Sequence, residues 1–535
     1  MKSFACFGKK LEHPRNFFCN KVSCFHKSSM CSIRSFLRVL VFQIHPFWVQ
    51  LAYFVILSLV GHMALKVSKP RPGSLRPASL DIFFTSVSSA TVSSMSTVEM
   101  EVFSNTQLII MTILMLLGGE VFTSILGLYL SRFKFSKHET KESRVSSVYH
   151  NPPKRTNFPG LEIEKPTNVD LECNLNSLDN DHSLKLNSLK SLACVALGYF
   201  SVVHITGSSL VAMYTSLVPS ARQVLGSKGI KIQTFSVFTT VSTFSNCGFV
   251  PTNENMVAFK KNSGLLLILI PQILLGNTLY PSCLRFLIWI LEKITRKVEF
   301  RYILMNTREM GYGHLLSFSH SCLLAITVSG FILVQFILFC SMEWNSGAKD
   351  GLNPYQKLMG ALFQVVNSRH TGESIVDLSI ISPAILVLFV VMMYLPPYTS
   401  FMPKKQQEEV DSETGQKCKN QRKSLVQCLL FSPLSTLAIF VILICVSERE
   451  KLKKDPLNFN VLNITIEVVS AYGNVGFSTG YSCKRQLEPD SSCKDAWFGF
   501  VGRWSNMGKF ILILVMFFGR LKKFSINGGK AWKLS

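Results

Sequence analysis

The stretch TVSSMSTVEMEVFSN, residues 91–105, is polar and rich in small hydroxyl residues, yet it lies between two apolar runs. Residues 80–90 before it are moderately apolar, and residues 106–130 after it are long enough to cross a membrane. A hydrocarbon core of about 30 Å requires about 20 apolar residues, so the first run is too short to cross. A short helix followed by an irregular return leg predicts a re-entrant loop, which membranes tolerate where protein or water surrounds it.

The same arrangement of span, short segment and span occurs four times along the chain. The predicted spans are residues 47–67, 106–130, 189–214, 264–291, 315–342, 379–401, 425–446 and 497–521, and the short segments are 80–90, 230–243, 354–367 and 457–471. The sequence therefore predicts an all-α polytopic membrane protein with four such repeats around a single central pore.

Composition and charge placement agree with this architecture. The chain is 48% hydrophobic and 16% charged, against about 25% charged residues in soluble domains. Its net charge of +24 resides mainly in clusters at the ends of apolar runs, which is the positive-inside pattern and not the folded basic face of a nucleic-acid binder. Both termini and all linkers between repeats are therefore predicted to be cytoplasmic, which also disfavours an inverted-repeat carrier.

These patterns divide the chain into membrane repeats and cytoplasmic segments. The predicted boundaries are 1–46 N-terminus, 47–131 repeat A, 132–188 linker, 189–292 repeat B, 293–314 linker, 315–403 repeat C, 404–424 linker, 425–521 repeat D and 522–535 C-terminus. The first linker is long and polar, and we expect it to be flexible.

The four short segments run into comparable polar patches: TVSSM (91–95), FSNCGF (244–249), SRHTGE (368–373) and YGNVGF (472–477). Three patches carry Gly248, Gly372 or Gly476, and the first has Ser94 at the matching place. Glycine allows a backbone that turns carbonyls toward a shared axis, where they replace the hydration shell of an alkali cation. Ordinary turn glycines are the alternative, but four aligned units favour a filter that binds an alkali cation. The flanking residues are Val92, Ser93, Asn246, Cys247, His370, Thr371, Asn474 and Val475.

The chain resembles the plant HKT transporters of the Trk/Ktr/HKT superfamily. The likeness rests on FQIHPFWVQL (42–51), TVSSMSTVEMEVFSNTQ (91–107), TTVSTFSNCGFVPTNENM (239–256), NSRHTGE (367–373) and SAYGNVGFSTGYSC (470–483). It implies a multi-pass plasma-membrane transporter surrounded by lipid, assembled as a homodimer, with no cofactor and no nucleic-acid partner. It also implies filter positions at Ser94, Gly248, Gly372 and Gly476.

The serine at the first filter position bears on which ion passes. In the family that this chain resembles, serine at this position marks the sodium-selective subfamily, and potassium-transporting members often keep glycine. We therefore expect passive, channel-like permeation of Na⁺, because the hydroxyl of Ser94 adds bulk and alters coordination in one quarter of the ring. Potassium uptake or sodium–potassium symport on the same fold is the alternative. A membrane-embedded enzyme is disfavoured because no catalytic motif is present.

Several charged residues lie near the predicted pore. Acidic residues that follow the patches can concentrate cations at the outer mouth, or can be ordinary solvated charges; they are Glu99, Glu101, Glu254 and Glu373. The resemblance implies a basic residue near the pore on the last span, which fits Arg503 or Lys509. The alternative is a structural ion pair, with Glu120 as one partner for Lys509.

Two further features remain open at this stage. Pro383, Pro396 and Pro397 interrupt the sixth span, and the resemblance implies a broken span with a gate below the filter, whereas the prolines alone predict a kink. Cys483 and Cys493 flank a polar loop on the predicted outer side, where a disulfide and two free thiols are both compatible with the sequence.

Overall fold

A computed structural model describes residues 46–74, 76–130, 168–347, 350–399, 433–487 and 493–525. Residues from Phe54 onward form one compact unit, and residues 46–53, the described part of the other unit, are helical. Within these ranges every regular element is a helix, as predicted.

Repeats A and B supply the first ten helices. In repeat A these are α1 (Pro46–Val67), α2 (Ser79–Ala90), α3 (Asn105–Gly118) and α4 (Glu120–Leu130). In repeat B they are α5 (Asn168–Leu217), α6 (Pro219–Ser227), α7 (Ile232–Phe244), α8 (Ser263–Leu275) and α9 (Tyr280–Thr295), followed by the linker helix α10 (Val298–Met305).

Repeats C and D supply the remaining helices. In repeat C these are α11 (Phe318–Glu343), α12 (Pro354–Asn367) and α13 (Pro383–Tyr394). In repeat D they are α14 (Pro433–Ser447), α15 (Arg449–Lys454), α16 (Val461–Gly473) and α17 (Asn506–Ser525).

The four short segments form helices that do not cross a membrane. These pore helices, α2, α7, α12 and α16, have 12, 13, 14 and 13 residues, which correspond to about 18 to 21 Å. Their buried hydroxyl side chains bond to the preceding helical turn, as Ser89 does to the carbonyl of Thr85 at 2.9 Å. Such bonds satisfy some of the buried hydroxyls, whereas Ser88 in α2 and Thr239 and Thr240 in α7 have no hydrogen-bond partner among the described residues.

The second spans of repeats A, B and C are more interrupted than the sequence indicated. Among the described residues, α1, α5 and α11 contain stretches that are long and apolar enough to span. The pairs α3–α4 and α8–α9 are bent by 54° and 82°, and each pair counts as one broken span. The predicted sixth span ends early, because α13 stops at Tyr394 before Pro396 and Pro397.

The second spans of repeats A, B and D pack closely under their own pore helices. A Cβ at Gly118 would lie 2.0 Å from the carbonyl oxygen of Ala90, and a Cβ at Gly276 would lie 1.8 Å from that of Phe244. In repeat D, a Cβ at Gly519 would lie 2.0 Å from the carbonyl oxygen of Tyr472. Each of these spans therefore passes directly against the last turn of its own pore helix.

One linker also differs from the prediction. Residues 168–188, expected to be the end of a flexible loop, are helical and continue into the first span of repeat B as part of α5. Residues 132–167 and the linker at 404–424 lie outside the described residues.

Candidate functional site

The return legs after the pore helices have an unusual backbone conformation. Ser94, Gly248, Gly372 and Gly476, here called the filter residues, all have positive φ, of 45°, 92°, 73° and 98°. In repeats A, B and D the residue two positions earlier also has positive φ; these residues are Val92, Asn246 and Asn474. Non-glycine residues rarely adopt this conformation, which costs of order 1–3 kcal/mol and is typical of functional sites.

The four return legs meet in one closed ring. A Cβ at Gly248 would lie 1.6 Å from the carbonyl oxygen of Thr371, and a Cβ at Gly372 would lie 2.0 Å from that of Val475. A Cβ at Gly476 would lie 1.5 Å from the Oγ of Ser94. Each filter glycine thus abuts the next repeat, in the order B, C, D and A, with no room for a side chain.

Ser94 completes this ring with a hydroxyl group. Its Oγ donates a hydrogen bond to the carbonyl oxygen of Val475 at 3.2 Å, and it would lie 3.1 Å from a Cβ at Gly248. The side chain therefore touches both neighbouring repeats. The hydroxyl engages one main-chain carbonyl that lies next to a filter glycine.

Side chains flanking the filter hold neighbouring loops together. Asn474 Nδ2 donates to Ser93 Oγ at 2.7 Å, joining repeat D to repeat A. Thr371 Oγ1 donates to Asn246 Oδ1 at 3.0 Å, joining repeat C to repeat B. The ring is thus fixed by side chains as well as by backbone contact. Val92, Cys247 and Val475 are buried, and His370 Nε2 lies 3.3 Å from Thr278 Oγ1.

A cavity of about 290 Å³ opens on the side of the filter that is predicted to be outside the cell. All four filter residues line its floor. The charged residues in its lining are Glu254, Asp377, Arg485 and Asp495. Carbonyls and carboxylates in a cavity that ends at a narrow ring suit the capture of a small cation.

Two of the predicted outer acids form an ion-paired cluster. Lys228, the residue after α6, donates to Glu101 Oε1 at 2.6 Å and to Glu254 Oε2 at 2.5 Å. Burial lowers the pKa of Lys228, but the hydrogen bonds and charges of both carboxylates outweigh this and raise its pKa overall. Glu99 lies elsewhere and accepts a hydrogen bond from the main-chain nitrogen of Trp497 at 3.1 Å.

Glu373 differs from the sequence expectation, because it is fully buried and not at the mouth. It directly follows Gly372, and its Oε1 accepts a hydrogen bond from Thr243 of α7 at 2.7 Å. Its Oε2 is buried and has no hydrogen-bond partner among the described residues. The return leg turns the side chain behind the filter and toward repeat B.

Glu467 is a second buried carboxylate, which the sequence analysis missed. It lies in α16 and accepts hydrogen bonds from Ser478 Oγ at 2.7 Å and from the main-chain nitrogen of Val501 at 3.1 Å. The sequence does contain one signal for Glu467, since an acidic residue in the middle of a largely apolar short segment indicates a functional or paired group.

The basic residues of the last span have structural partners. Lys509 Nζ pairs with Asp81 Oδ1 of α2 at 2.7 Å, and not with Glu120. Arg503 lies in a 3₁₀ turn before α17, where its guanidinium carbon is 5.0 Å from the ring centroid of Tyr481. Arg520, near the end of the last predicted span, is buried and donates to the carbonyl oxygen of Gly118.

The open question of Cys483 and Cys493 is resolved by their geometry. Their sulfurs form a disulfide with a Cα–Cα distance of 5.9 Å. The main-chain nitrogen of Cys483 also donates to Asp495 Oδ1 at 2.6 Å, and Asp495 lines the cavity. The disulfide therefore fixes the loop that forms one wall of this cavity.

Comparisons with known proteins identify relatives of the whole chain. A family model described as "TrkH: Cation transport protein" matches residues 169–527. The cation transporter HKT1;3 of Oryza sativa subsp. japonica is 50% identical over 526 residues, which are 98% of each chain. The sodium transporter HKT1 of Arabidopsis thaliana is 55% identical over 474 residues, covering 88% of this chain and 92% of its own.

One solved structure, the crystal structure of the potassium transporter TrkH from Vibrio parahaemolyticus, aligns with 89% of this chain and 82% of its own, at 14% identity and a TM-score of 0.47. The family model covers more than half of the chain, and the relatives match nearly all of it. The family comprises membrane transporters of cations and not enzymes. The chain therefore belongs to the TrkH family of cation transport proteins, and within it to the plant HKT transporters.

Proposed function

We propose that this cation transporter is selective for Na⁺ and conducts it passively, like a channel, across the plasma membrane, with both termini in the cytoplasm. The observation that carries the proposal is Ser94, which occupies the filter position where the other three repeats have glycine. A relative that is 55% identical bears the name sodium transporter, and this supports the same reading.

The geometry of Ser94 suggests how the hydroxyl favours the smaller ion. Its Oγ occupies the space beside Gly476 and donates to the Val475 carbonyl, so that oxygen is shared between the hydroxyl and a passing cation. K⁺ is larger and depends on a full set of carbonyl ligands in place of its hydration shell. Na⁺ needs less space and tolerates the loss of one strong ligand, so it passes more readily.

Passive permeation is supported by the single route that the site offers. The four loops form one ring, and the cavity leads directly to it. Ions that enter the cavity therefore reach the filter without an intervening closed compartment. The predicted orientation, with the basic clusters in the cytoplasm, makes this cavity extracellular.

Potassium uptake, or sodium–potassium symport, is the second candidate. Three of four filter positions keep glycine, and a more distant relative that is 24% identical is named potassium transporter TRK1 of Candida albicans. This candidate predicts substantial current carried by K⁺ alone, or stimulation of one ion's current by the other. Assembly as a homodimer stays a prediction from the resemblance.

Voltage clamp in oocytes tests the proposal. Reversal potentials are measured in Na⁺ and in K⁺ for the wild type, Ser94→Gly and Ser94→Ala. We expect Ser94→Gly to admit K⁺ and to move the K⁺ reversal potential toward that of Na⁺, because both the hydroxyl and the Cβ are removed. Ser94→Ala removes the hydroxyl alone. Comparing it with Ser94→Gly therefore separates the contribution of the hydroxyl to ion selectivity from that of the Cβ.

Ser89→Gly provides a matched control, since Ser89 is a buried serine of α2 that bonds only to its own helix. We expect it to keep the sodium preference. The proposal fails if Ser94→Gly reaches the cell surface and keeps the wild-type reversal potentials in both ions.

A further inference from the structure

The junction between α9 and α10 exposes a group of basic side chains at the end of a span. Helix α9 is followed by a left-handed residue, Arg296, with φ of 51°, and α10 begins two residues later. The linker that contains α10 is predicted to be cytoplasmic, which places this junction at the inner surface of the membrane. We call the exposed basic residues of the junction the basic corner; they are Lys293, Arg296, Lys297 and Arg301.

Helix α10 is packed against the protein by one face only. Its Phe300 and Ile303 are buried. They belong to an apolar cluster with Leu189 of α5 and Leu284 of α9. This packing fixes which face of α10 points away from the protein.

The outward face of α10 is apolar at both ends and basic in the middle. Val298 and Met305 are 63% and 75% exposed, and Arg301 lies between them on the same side of the helix. Two large apolar side chains on such a face are unfavourable in water. They suit a helix that lies in the plane of the membrane interface, with basic residues beside the apolar ones.

The exposed face of α9 leads to the same junction. Phe286 and Trp289 are 60% and 47% exposed, and their rings are stacked with centroids 5.8 Å apart. Lys293 follows on this face about one turn after Trp289. Tryptophan is enriched where a span meets the lipid headgroups. The basic corner therefore continues the lipid-facing surface of α9 at the level of the headgroups.

The positive charge of the basic corner is only weakly compensated. Lys293 Nζ lies 3.9 Å from Glu292 Oε2, and the lysine side chain is 64% exposed, so this contact contributes little. Residues 292–309 carry five basic and three acidic side chains, which leaves the stretch positive. Within the part of the chain that the structure describes, no ion pair is formed by Arg296, Lys297 or Arg301.

Helix α10 also leads into contacts that join two broken spans. The hydroxyl of Tyr312, seven residues after α10, lies 2.9 Å from Ser124 Oγ of α4 and 2.7 Å from the hydroxyl of Tyr280 in α9. A ligand that holds α10 in place should therefore stabilise the linker and its contacts with repeats A and B.

We propose that the basic corner binds the headgroups of anionic phospholipids in the cytoplasmic leaflet, while Val298 and Met305 enter the adjoining apolar layer. The cytoplasmic leaflet carries a negative surface potential that attracts each basic side chain near it. Bound lipid holds α10 in the plane of the membrane and stabilises the linker. The inference goes beyond the proposed function and does not depend on the preference for Na⁺.

Amide hydrogen exchange of the full-length protein in nanodiscs tests the proposal locally. The discs contain phosphatidylcholine alone, or phosphatidylcholine with about 20 mol% phosphatidylserine. The readout is the exchange rate of peptides that cover residues 293–305, together with the midpoint of thermal unfolding. The corner variant combines three substitutions, Arg296→Gln, Lys297→Gln and Arg301→Gln.

Helix α15 offers a matched control. It is also a short helix after a span, but it is predicted to lie outside the cell, and none of its large apolar side chains is exposed. Its three outer basic residues are exposed, and the ion pair between Lys451 and Glu448 does not involve them. The control variant therefore removes the same charge with Arg449→Gln, Lys453→Gln and Lys454→Gln.

We expect phosphatidylserine to slow exchange in residues 293–305 about threefold or more in the wild type and in the control variant, because bound lipid suppresses local opening. It should also raise their unfolding midpoint. The corner variant should exchange at the same rate in both kinds of disc. Val298→Ser together with Met305→Ser should reduce the protection, since the apolar contact with lipid is lost.

Inorganic phosphate added to discs of phosphatidylcholine separates a lipid site from a site for free anions. We expect it to leave exchange unchanged, and protection equal to that by phosphatidylserine would overturn the assignment to lipid. The inference also fails if phosphatidylserine does not protect residues 293–305 in the wild type, or protects the corner variant equally. Exchange that is independent of lipid, with an oligomeric state that changes in the corner variant, would assign the surface to a second copy of the chain instead.

If the corner variant does not fold, Arg301→Gln and the paired serine variant decide, and full protection in both overturns the inference. Failure of the sodium proposal appears instead as unchanged reversal potentials in Ser94→Gly. The two failures are therefore distinguishable.

Discussion

The filter loops of repeats B and D resemble each other closely, whereas loop A shares with them only the left-handed residue two positions before the filter residue, and loop C lacks that residue too. Loops B and D both place a left-handed asparagine two residues before the filter glycine and a phenylalanine after it. In both, the main-chain nitrogen of the glycine donates to a serine hydroxyl six residues earlier, at 3.1 Å for Ser242 and 2.9 Å for Ser470. We call these two loops the common half of the ring.

Loops A and C carry the departures from this plan. Loop A replaces glycine with Ser94, and loop C adds Arg369 and Glu373, two buried ionisable side chains, on either side of Gly372. We infer that loops B and D supply a shared cation-binding geometry. Loops A and C, which we call the modified half of the ring, alter that geometry. Changes in the common half should therefore abolish transport, and changes in the modified half should tune it.

The largest effect is expected from a side chain in the common half. Gly476→Ala would place a Cβ 1.5 Å from the Oγ of Ser94 and force an alanine to φ of 98°, so the ring cannot close. We expect current at background level with the protein still present at the surface. Gly330→Ala in α11, where a Cβ meets nothing within 4 Å, should keep wild-type current. Normal current in Gly476→Ala would contradict the ring.

A smaller effect is expected at Glu373 in the modified half. Glu373→Gln replaces the carboxyl group but keeps an oxygen that can accept from Thr243, whereas Glu373→Ala removes the acceptor as well. We expect about a threefold loss of Na⁺ current for the first and about a tenfold loss for the second, in line with a lost buried hydrogen bond. Equal currents in both variants would show that the hydrogen bond from Thr243 is unimportant, and wild-type current in Glu373→Gln would show the same of the carboxyl group. Current at limiting Na⁺ is the measurement.

The sequence predicts the common half of the ring well, because its requirements are local. A short helix followed by a glycine that must adopt positive φ is a pattern that recurs in repeats B, C and D. Because the chain has four repeats, the pattern can be compared between them. The same comparison identifies Ser94, because it stands where the other three repeats have glycine. The spans before the pore helices of repeats A, B and C are likewise evident from apolar length alone.

The modified half and the breaks in the spans depend on contacts between distant parts of the chain. Lys509 pairs with Asp81, 428 residues away, and no pattern near either residue identifies the other. Gly118 lies at the bend between α3 and α4 and packs against Ala90, and the burial of Glu373 follows from its contact with repeat B. Such contacts leave no periodic signal in one sequence.

The disulfide lies outside the filter ring. Its removal should lower the stability of the protein and have little effect on ion selectivity. Cys483→Ser together with Cys493→Ser opens a link between residues 10 apart, which should lower the free energy of unfolding by about 2–3 kcal/mol. Thermal unfolding of the purified protein, with and without reductant, measures this. Reductant should destabilise the wild type and leave the double variant unchanged, and an unaffected wild type would contradict a stabilising role.

The smallest effect is expected at Lys228, where loops of repeats A and B meet outside the filter. Lys228→Met should release Glu101 and Glu254 and make the mouth more negative, raising Na⁺ current about twofold at low ionic strength and not at high ionic strength. Exposed Lys231→Met, three residues later, should have no such effect.

The raised pKa of Lys228 adds a pH criterion to this last comparison. A lysine whose pKa is raised on folding contributes its ion pairs fully at lower pH and loses them only as the pH rises through that raised value. The cluster should therefore stay paired from about pH 6 to 9, and the current difference between the wild type and Lys228→Met should be constant over that range. A difference that changes across neutral pH would mean that another group controls the charge at the mouth.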